Sequence, residues 1–157
     1  AFENSSFLSL DPDYIASMVD ARPYSSSIAR LRAAGLRPTR QRLALTKALF
    51  EGSNRHVTAD LLHREVKADG AAISLATVYN ALHQFTEAGM LREVLVEWGR
   101  SFFDTNVSDH YHFFVEETGE LIDLPGEAIG LARLPEVPPG MTLSKIEITL
   151  HLTKNTT

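Results

Sequence analysis

The stretch SLATVYNALHQFTEAGML (residues 74–91) decides the fold of this 157-residue chain. Ser74 suits a helix N-cap, and Gly89 suits the left-handed position that ends a helix. Between them, three apolar residues recur at helical spacing and form one stripe: Val78, Leu82 and Phe85. The pattern predicts an amphipathic helix that buries this stripe and carries polar residues on its other side.

Three further helical segments are predicted upstream, each bounded by a capping residue and a glycine. The predicted caps are Ser27, Thr39 and Thr58, and the predicted stops are Gly35, Gly52 and Gly70. Asp11 followed by Pro12 predicts a short leading helix over residues 12–21 that ends near Pro23. The segments from residue 27 to residue 88 fit a compact cluster of helices.

The apolar period changes after Leu91, from helical spacing to that of strands. The segments LREVLVE (91–97) and SFFDT (101–105) flank Trp98-Gly99-Arg100 and predict two strands joined by a short turn. Helices followed by such a hairpin are the order of a winged helix-turn-helix, which presents one helix to the DNA major groove. We therefore predict a winged-helix domain over residues 24–105, preceded by an N-terminal extension over residues 1–23.

Beyond Asn106 the pattern indicates a second, smaller domain over residues 106–157. The segments HYHFFVEE (110–117) and ELIDLP (120–125) predict another hairpin, and KIEITLHLTK (145–154) alternates strictly between apolar and polar residues. Because one face of this last strand is polar, we expect its apolar face to pack on a helix or on a partner subunit. The fold class is predicted to be α+β, a winged helix followed by a small α/β dimerisation domain.

The composition limits the chemistry that the chain can perform. It contains no cysteine, which excludes disulfides, thiolate zinc sites, iron–sulfur clusters and thiol catalysis. Any metal must therefore be held by imidazole and carboxylate groups. Although the formal net charge is −5, residues 22–100 carry 12 of the 15 Lys and Arg and only 7 of the 20 Asp and Glu. A basic middle between acidic flanks fits a module that faces DNA and is joined to something else.

The sequence also lacks the signals that address a chain to a membrane. No window approaches the roughly 20 consecutive apolar residues that span a bilayer. The first residues, AFENSSFLSLDPDY (1–14), lack the basic and apolar regions of a signal peptide. We expect no membrane partner and a cytoplasmic location.

Three segments carry a resemblance to a known family: LRAAGLRPTRQR (31–42), HVTADLL (56–62) and SLATVYNALHQFTEAGML. They are similar to the corresponding stretches of the ferric uptake regulator (Fur) family, and the match extends over about residues 28–153. The resemblance implies a homodimer that binds double-stranded, A/T-rich palindromic operator DNA, with the helix at residues 74–88 in the major groove. The DNA-contact residues that it implies are Arg37, Arg40, Ser74, Thr77, Tyr79, Asn80 and Arg100.

The residue types suggest what each of these contacts would do. Asn80 could pair with an adenine edge, Tyr79 could contact a thymine methyl group or a phosphate, and the arginines suit phosphates or the minor groove. Many family members have an arginine where Asn80 stands. The alternative is that these are solvated helix residues without a partner.

His110 and His112 form an H-x-H pair on a predicted strand, where residues two apart project from one face. By itself the pair is weak, since histidines are common on half-exposed strands. The Fur resemblance implies a fuller set, in which imidazoles and carboxylates from both domains hold Fe²⁺, Mn²⁺ or Zn²⁺ and thereby bias the orientation of the two recognition helices. The ligands that it implies are His56, Asp104, His110, His112 and Asp123.

Two departures from the family pattern bear on function. Many relatives carry Cys-x-x-Cys after the H-x-H pair, where this chain has Val115 and Thr118, so a thiolate zinc site cannot form. Asp104 and Asp123 stand where iron regulators often have glutamates and where peroxide-sensing relatives have aspartates. Peroxide sensing is therefore the alternative function within the family.

Four segments resemble the iron response regulator (Irr) branch of the family: LRPTRQR (36–42), SLATVYN (74–80), SFFDTNV (101–107) and LPEVPPG (134–140). This resemblance implies a repressor of iron and haem genes that haem releases. Haem would involve His110, Tyr111 and His112, with Tyr111 where the branch commonly has a third histidine. Tyr111 could instead point to the opposite strand face and pack in the core.

Two alternatives come from outside this regulatory function. Two histidines and a carboxylate are also the ligand set of non-haem iron oxygenases, but no substrate pocket is implied, so we predict that the chain is not an enzyme. The other alternative is a winged-helix protein without metal regulation, in which His56, His110 and His112 are merely structural.

Overall fold

The computed structural model describes residues 23–97 and 99–155, so the leading helix predicted over residues 12–21 and the side chain of Trp98 lie outside the described residues. Four α-helices occupy the first half of the described chain. They are α1 (Ser25–Ala33), α2 (Arg40–Phe50), α3 (Ala59–Ala68) and α4 (Leu75–Glu87). None of the described helices has the length and apolar character that a membrane crossing requires.

Local capping explains where three of these helices begin. Each predicted cap accepts a hydrogen bond at 3.2 Å from the backbone N–H three residues on: Thr39 from Arg42, Thr58 from Leu61, and Ser74 from Thr77. At the other end of α4, Gly89 has a φ of 76°, a left-handed conformation that suits glycine. These caps and the glycine stop are confirmed.

Helix α1 begins differently from the prediction. It starts at Ser25, two residues before the predicted cap Ser27, and the preceding Tyr24 has a φ of 72° and makes no capping bond through its side chain. Ser27 is instead buried within the first turn. The prediction of a cap at Ser27 was wrong, because the helix can extend back to Tyr24 and place the small Ser27 side chain inward.

The four helices enclose one apolar core. The predicted stripe of α4 is fully buried, with Val78, Leu82 and Phe85 all at 0% exposure. Leu31 of α1 and Leu45 of α2 lie in the same cluster. Burying each such side chain stabilises the fold by about 1.5–3 kcal/mol, so α4 is held by its apolar face and its polar side remains outside.

A small antiparallel sheet borders this core. It contains β1 (His56–Val57), β2 (Arg92–Leu95) and β3 (Ser101–Asp104), in the order β1-β3-β2. The hairpin β2–β3 confirms the predicted wing. Neighbouring residues of β3 point to opposite faces: Phe103 belongs to the helical core, whereas Phe102 packs in a second cluster with Phe114. The sheet therefore joins the helices to the strands that follow. We call the four helices and this sheet together the helical unit.

The second sheet and its crossover, residues 126–148, form what we call the C-terminal unit. It contains β4 (His110–Val115), β5 (Glu120–Pro125) and β6 (Thr149–Leu152), in the order β5-β4-β6. The predicted hairpin β4–β5 is antiparallel, whereas β4 and β6 are parallel. A parallel neighbour requires a long crossover, which residues 126–148 supply, with one 3-10 turn at Gly126–Ala128. Described residues 106–155 contain no α-helix, so the helices of this α+β fold lie in the first half.

The last strand is shorter than its pattern predicts. Alternation runs over residues 145–154, but β6 covers only Thr149–Leu152. Leu150 and Leu152 are each 39% exposed. The apolar side chains of β6 therefore have no complete cover among the described residues.

Candidate metal centre

Five predicted ligands converge between the two sheets. Their ligand atoms all lie within 4.8 Å of one another, and they belong to His56, Asp104, His110, His112 and Asp123. Strand register explains the convergence: His56 of β1 lies opposite Asp104 of β3, and His112 of β4 lies opposite Asp123 of β5. Residues 67 positions apart in sequence thus meet at one point.

The two carboxylates stand at the centre of the three imidazoles. The Oδ2 atom of Asp104 lies 2.8 Å from His110 Nε2, 3.0 Å from His112 Nε2 and 3.2 Å from His56 Nε2. The Oδ1 atom of Asp123 lies 2.7 Å from His56 Nε2, 3.1 Å from His110 Nε2 and 3.4 Å from His112 Nε2. All three histidines therefore turn the same ring nitrogen toward one small space.

The centre is buried on one side and open on the other. Asp104, His110 and His112 are buried, and the side chain of Asp104 is only 1% exposed. The side chain of Asp123 is 42% exposed. Buried polar groups such as these three side chains need hydrogen-bond or ionic partners. The exposed side of the centre, at Asp123, is where water and small ions can reach it.

Backbone groups hold two of the ligands in place. The carbonyl oxygen of Ser108 lies 2.7 Å from Nδ1 of His110, so we assign the Nδ1 proton to this hydrogen bond. The backbone N–H of Asn106 donates to Oδ1 of Asp104 at 2.8 Å. Such outer partners fix which atom of a ligand faces a metal, and here they direct His110 Nε2 and Asp104 Oδ2 inward.

Electrostatics within the cluster shift two pKa values. Burial by itself raises the pKa of Asp104, but hydrogen bonds from His112 and His56 outweigh it and hold that pKa well below its usual range. Burial lowers the pKa of His56, but its hydrogen bonds to Asp104 and Asp123 and their negative charges outweigh burial and raise it. The cluster therefore favours the ionised form of Asp104, whose charge attracts cations.

The donor set fits a divalent transition metal. The Nδ1–H of His110 faces a carbonyl, so the lone pair of the other ring nitrogen, Nε2, points toward the Asp104 carboxylate oxygen. These two electron-rich atoms attract each other only if a proton or a cation lies between them. Three imidazoles and two carboxylates match the preferences of Fe²⁺, Mn²⁺ and Zn²⁺. These residues could therefore hold such an ion at the point where their donor atoms meet.

Tyr111 does not join this group. In a strand, neighbouring residues face opposite sides, and the burial of β4 alternates accordingly, with His110 and His112 buried and Tyr111 half-buried. Tyr111 instead lines a cavity of about 290 Å³, whose lining also includes His110, Arg92 and Lys145. The three residues named for haem therefore lie on two faces of β4, as the alternative for Tyr111 predicted, but Tyr111 belongs to neither apolar cluster of the described residues.

Six of the seven candidate DNA-contact residues occupy exposed positions, and the seventh, Thr77, is half-buried. Tyr79 is 41% exposed, and Asn80 and the three arginines are also exposed. The side chain of Ser74 is engaged in capping α4, and its Oγ lies 2.9 Å from Oγ1 of Thr77. Ser74 and Thr77 thus stabilise the start of the helix in addition to any contact they make with DNA.

An arginine that sequence reasoning missed joins two of the segments that carry candidate DNA contacts. Arg42 of α2 donates to the backbone carbonyl of Arg37 at 2.8 Å and to Oε1 of Gln84, in α4, at 2.7 Å. Its partners are 5 and 42 residues away in sequence. Composition and periodicity contain no signal for such a pairing, because it depends on how α2 packs against α4.

The remaining histidines have local partners. Nε2 of His63 lies 2.9 Å from the carbonyl oxygen of Ile73. His151 contacts Glu97 and Glu116 at 3.4 and 3.5 Å, and these three groups form an exposed cluster at the surface. His83 stacks on Tyr79 in α4.

Comparison with known proteins places the chain in a family. The model of the ferric uptake regulator family matches residues 33–151. The "Peroxide-responsive repressor PerR" of Staphylococcus aureus is 40% identical over 97 residues. That match covers 62% of this chain and 65% of the repressor, so the chain spans just under two thirds of the curated relatives it matches.

Solved structures agree with this assignment. The ferric uptake regulator from Pseudomonas aeruginosa, solved with manganese, is 25% identical, with a TM-score of 0.63 over 83% of this chain and 98% of that one. The Vibrio cholerae ferric uptake regulator is also 25% identical, with a TM-score of 0.64 over 81% of this chain and 98% of that one. The chain belongs to the ferric uptake regulator family.

Proposed function

We propose that this chain is a metal-responsive transcription repressor that binds operator DNA as a homodimer, and that it is not an enzyme. The observation that carries the proposal is the convergence of five nitrogen and oxygen donors from two structural units at one point that is buried on one side. His56 and Asp104 belong to the helical unit, whereas the other three ligands belong to the C-terminal unit. A site built in this way senses an ion and the relative position of the two units together.

The ligands act on DNA affinity through the arrangement of the units. A bound ion would be the cation that the two carboxylates and three imidazoles hold in common as ligands. It stabilises the arrangement in which all five meet, and it shifts DNA affinity only if it binds this arrangement more tightly than others. Occupancy would then favour one spacing of the two α4 helices in a dimer, and a palindromic operator requires a defined spacing.

The helical unit supplies the proposed DNA contacts. Helix α4 buries Leu82 and leaves Tyr79 and Asn80 exposed, as a recognition helix in the major groove requires. The exposed Arg37, Arg40 and Arg100 would contact phosphates or the minor groove, with Ser74 and Thr77 at the start of α4. We place this function in the cytoplasm, on A/T-rich inverted repeats.

The C-terminal unit supplies the proposed dimer surface. Eight of its large apolar side chains are at least 39% exposed: Ile122, Leu131, Leu134, Val137, Met141, Leu143, Leu150 and Leu152. So many apolar groups on a small unit are typical of an interface. A second copy of the chain would cover them and fulfil the prediction that β6 packs on a partner.

We propose Fe²⁺ or Mn²⁺ as the physiological ion, with Zn²⁺ binding in vitro. Carboxylate oxygens suit Fe²⁺ and Mn²⁺, and the cysteine-free chain offers no thiolate to favour Zn²⁺. Haem as an effector, and with it membership of the iron response regulator branch, stays a prediction. The separation of Tyr111 from His110 and His112 gives it no support.

The test is a titration of metal-free protein with Mn²⁺, with Fe²⁺ and with haem in separate anaerobic series. Operator binding is followed by fluorescence anisotropy, with DNA selected from a random pool and His110→Ala as the ligand control. We expect Mn²⁺ or Fe²⁺ to raise the affinity of the wild type and to leave the variant unresponsive. Equal affinity in chelator and in metal would reject metal regulation, and release by haem would support the haem-responsive function.

A second function, peroxide sensing, is favoured by two specific observations. Both carboxylate ligands are aspartates, and the 40% identical relative is a peroxide-responsive repressor. The test compares protein loaded with Fe²⁺ and protein loaded with Mn²⁺ before and after hydrogen peroxide. Loss of DNA binding only in the Fe²⁺ sample, with an oxygen atom added to a ligand histidine in the mass spectrum, would establish it. Unchanged DNA binding in both samples would reject it.

A further inference from the structure

Arg92 lies outside the ligand set but spans the junction that the ligands share. It is the first residue of β2, and its side chain is only 12% exposed. The guanidinium donates to the carbonyl of His110 at 3.0 Å and to the carbonyl of Ser108 at 3.4 Å. Its Nε lies 3.7 Å from Oε1 of Glu147 and has no hydrogen-bond partner among the described residues.

These contacts bear directly on the orientation of one metal ligand. The carbonyl oxygen of Ser108 is also the atom that binds Nδ1 of His110 at 2.7 Å. Arg92 therefore holds both the carbonyl that orients the imidazole and the carbonyl of the histidine itself. Because the Nδ1 bond decides which way Nε2 points, Arg92 helps to direct His110 Nε2 into the centre.

Arg92 also stands beside a ligand of its own unit, the helical one. Its backbone pairs with Asp104 across β2 and β3. Its side chain reaches over the linker, residues 105–109, to the start of β4 and to Glu147 near β6. One residue thus connects Asp104 of the helical unit to His110 of the C-terminal unit, and its side-chain contacts exist only when the units adopt this arrangement.

We propose that Arg92 is a positioning residue of the metal centre and sets the metal concentration at which the chain responds. The proposal rests on the function proposed above, which it deepens. Without the guanidinium, His110 loses its orientation and the arrangement that brings the ligands together loses contacts. Both effects weaken metal binding, whereas a saturating ion restores the arrangement by mass action.

The test uses Arg92→Met, which keeps the length of the side chain but removes its donors, and Arg92→Lys, which keeps the charge. Isothermal titration of the metal-free proteins with Mn²⁺ measures affinity. We expect Arg92→Met to lose about 10-fold to 100-fold in Mn²⁺ affinity, the cost typical of an outer partner, and Arg92→Lys to lose less. A folded Arg92→Met protein that binds Mn²⁺ as tightly as the wild type overturns the proposal. If Arg92→Met does not fold, the same comparison of Mn²⁺ affinity is made with Arg92→Lys.

A spectroscopic measurement separates positioning from a general loss of stability. In ¹⁵N spectra of the metal-free wild type, the His110 ring should show a preference for a hydrogen-bonded proton on Nδ1, whether or not Nε2 also carries one. In Arg92→Met this preference should weaken while the helical core remains protected from hydrogen exchange. An unchanged ring signal in the folded variant contradicts the positioning role.

Arg42→Met is the matched control, because Arg42 also joins two segments but lies wholly within the helical unit. It should lower operator affinity at every Mn²⁺ concentration without changing Mn²⁺ affinity. Arg92→Met should instead move the midpoint of operator binding to higher Mn²⁺ and keep the same plateau. If Mn²⁺ does not change the operator affinity of the wild type, the proposed function is rejected. The isothermal titrations with Mn²⁺ still decide the role of Arg92 in that case.

Discussion

Asp104 is the residue on which the three imidazoles of the centre converge. Its carboxylate lies 2.8–3.2 Å from His110, His112 and His56 and is almost completely buried. A buried carboxylate in this position is stabilised only while its partners carry protons or a cation. The metal-free protein should therefore depend on pH through Asp104 and His56.

The first prediction concerns Asp104→Asn in metal-free protein. The low pKa of Asp104 contributes stability above its usual value of 3.8, which is lost as the pH falls through the lowered pKa. The raised pKa of His56 contributes stability below its usual 6.5, which is lost as the pH rises through the raised pKa. The substitution should therefore cost most between these two usual values, about 2 kcal/mol.

Urea unfolding of both proteins across that range and above it provides the measurement. The difference in the free energy of unfolding should shrink as the pH rises and His56 loses its proton. A difference that stays constant from acid to alkaline pH would show that Asp104 acts through packing alone.

At the scale of elements, the two sides of α4 have different roles. The stripe of Val78, Leu82 and Phe85 holds the helix in the core, whereas Tyr79 and Asn80 are exposed. Stability and DNA recognition should therefore respond to different substitutions in the same helix.

Leu82→Ala should destabilise the chain by about 2–5 kcal/mol, because it leaves a cavity at a position with no exposure. Thermal and urea unfolding measure the loss. Ala81, which is 6% exposed and already small, offers a neighbouring position where Ala81→Gly should cost only about 1 kcal/mol. Equal losses at both positions would contradict the predicted role of the stripe.

Asn80→Ala should leave stability within about 0.5 kcal/mol of the wild type, as expected for an exposed residue. It should lower affinity for the selected operator by about 1–3 kcal/mol, with the loss confined to one base position. Competition binding against single-base variants of the operator provides the measurement. An equal loss on all variants would assign Asn80 to the DNA backbone instead of a base.

At the scale of the whole molecule, apolar residues of the C-terminal unit require a partner. Leu150→Glu should dissociate the proposed dimer, because the burial of a charged side chain in an apolar interface is costly. Sedimentation velocity measures the change in mass. Leu95→Glu is the control, since Leu95 is 65% exposed but lies on the wing strand β2. A Leu150→Glu protein that remains dimeric would remove β6 from the interface.

Metal binding should also stabilise the whole chain. At a free Mn²⁺ concentration of about 100 times the Kd, linkage predicts about 2.7 kcal/mol of added stability. Thermal unfolding with and without chelator measures this gain, and His112→Ala should abolish it. If Mn²⁺ still stabilised the His112→Ala protein, the ion would bind at another site. One candidate is the exposed cluster of His151, Glu97 and Glu116.

Local features of the fold were predictable from sequence. The apolar stripe of α4, three of the four tested caps and both hairpins were confirmed. They depend on residues within one or two turns of one another, so periodicity and capping chemistry suffice to predict them. The ligand set came from a family resemblance and the absence of cysteine, and its five members do meet in the structure.

Other features depend on which distant segments pair, and only the tertiary structure decided them. The register of β1 with β3 and of β4 with β5 brings His56 and Asp123 to one point. The same packing sends Arg92 across the linker to His110 and Arg42 to Gln84. The sequence by itself determined the residue types and their local elements, whereas long-range pairing determined which of those residues meet, because periodicity carries no information about strand partners.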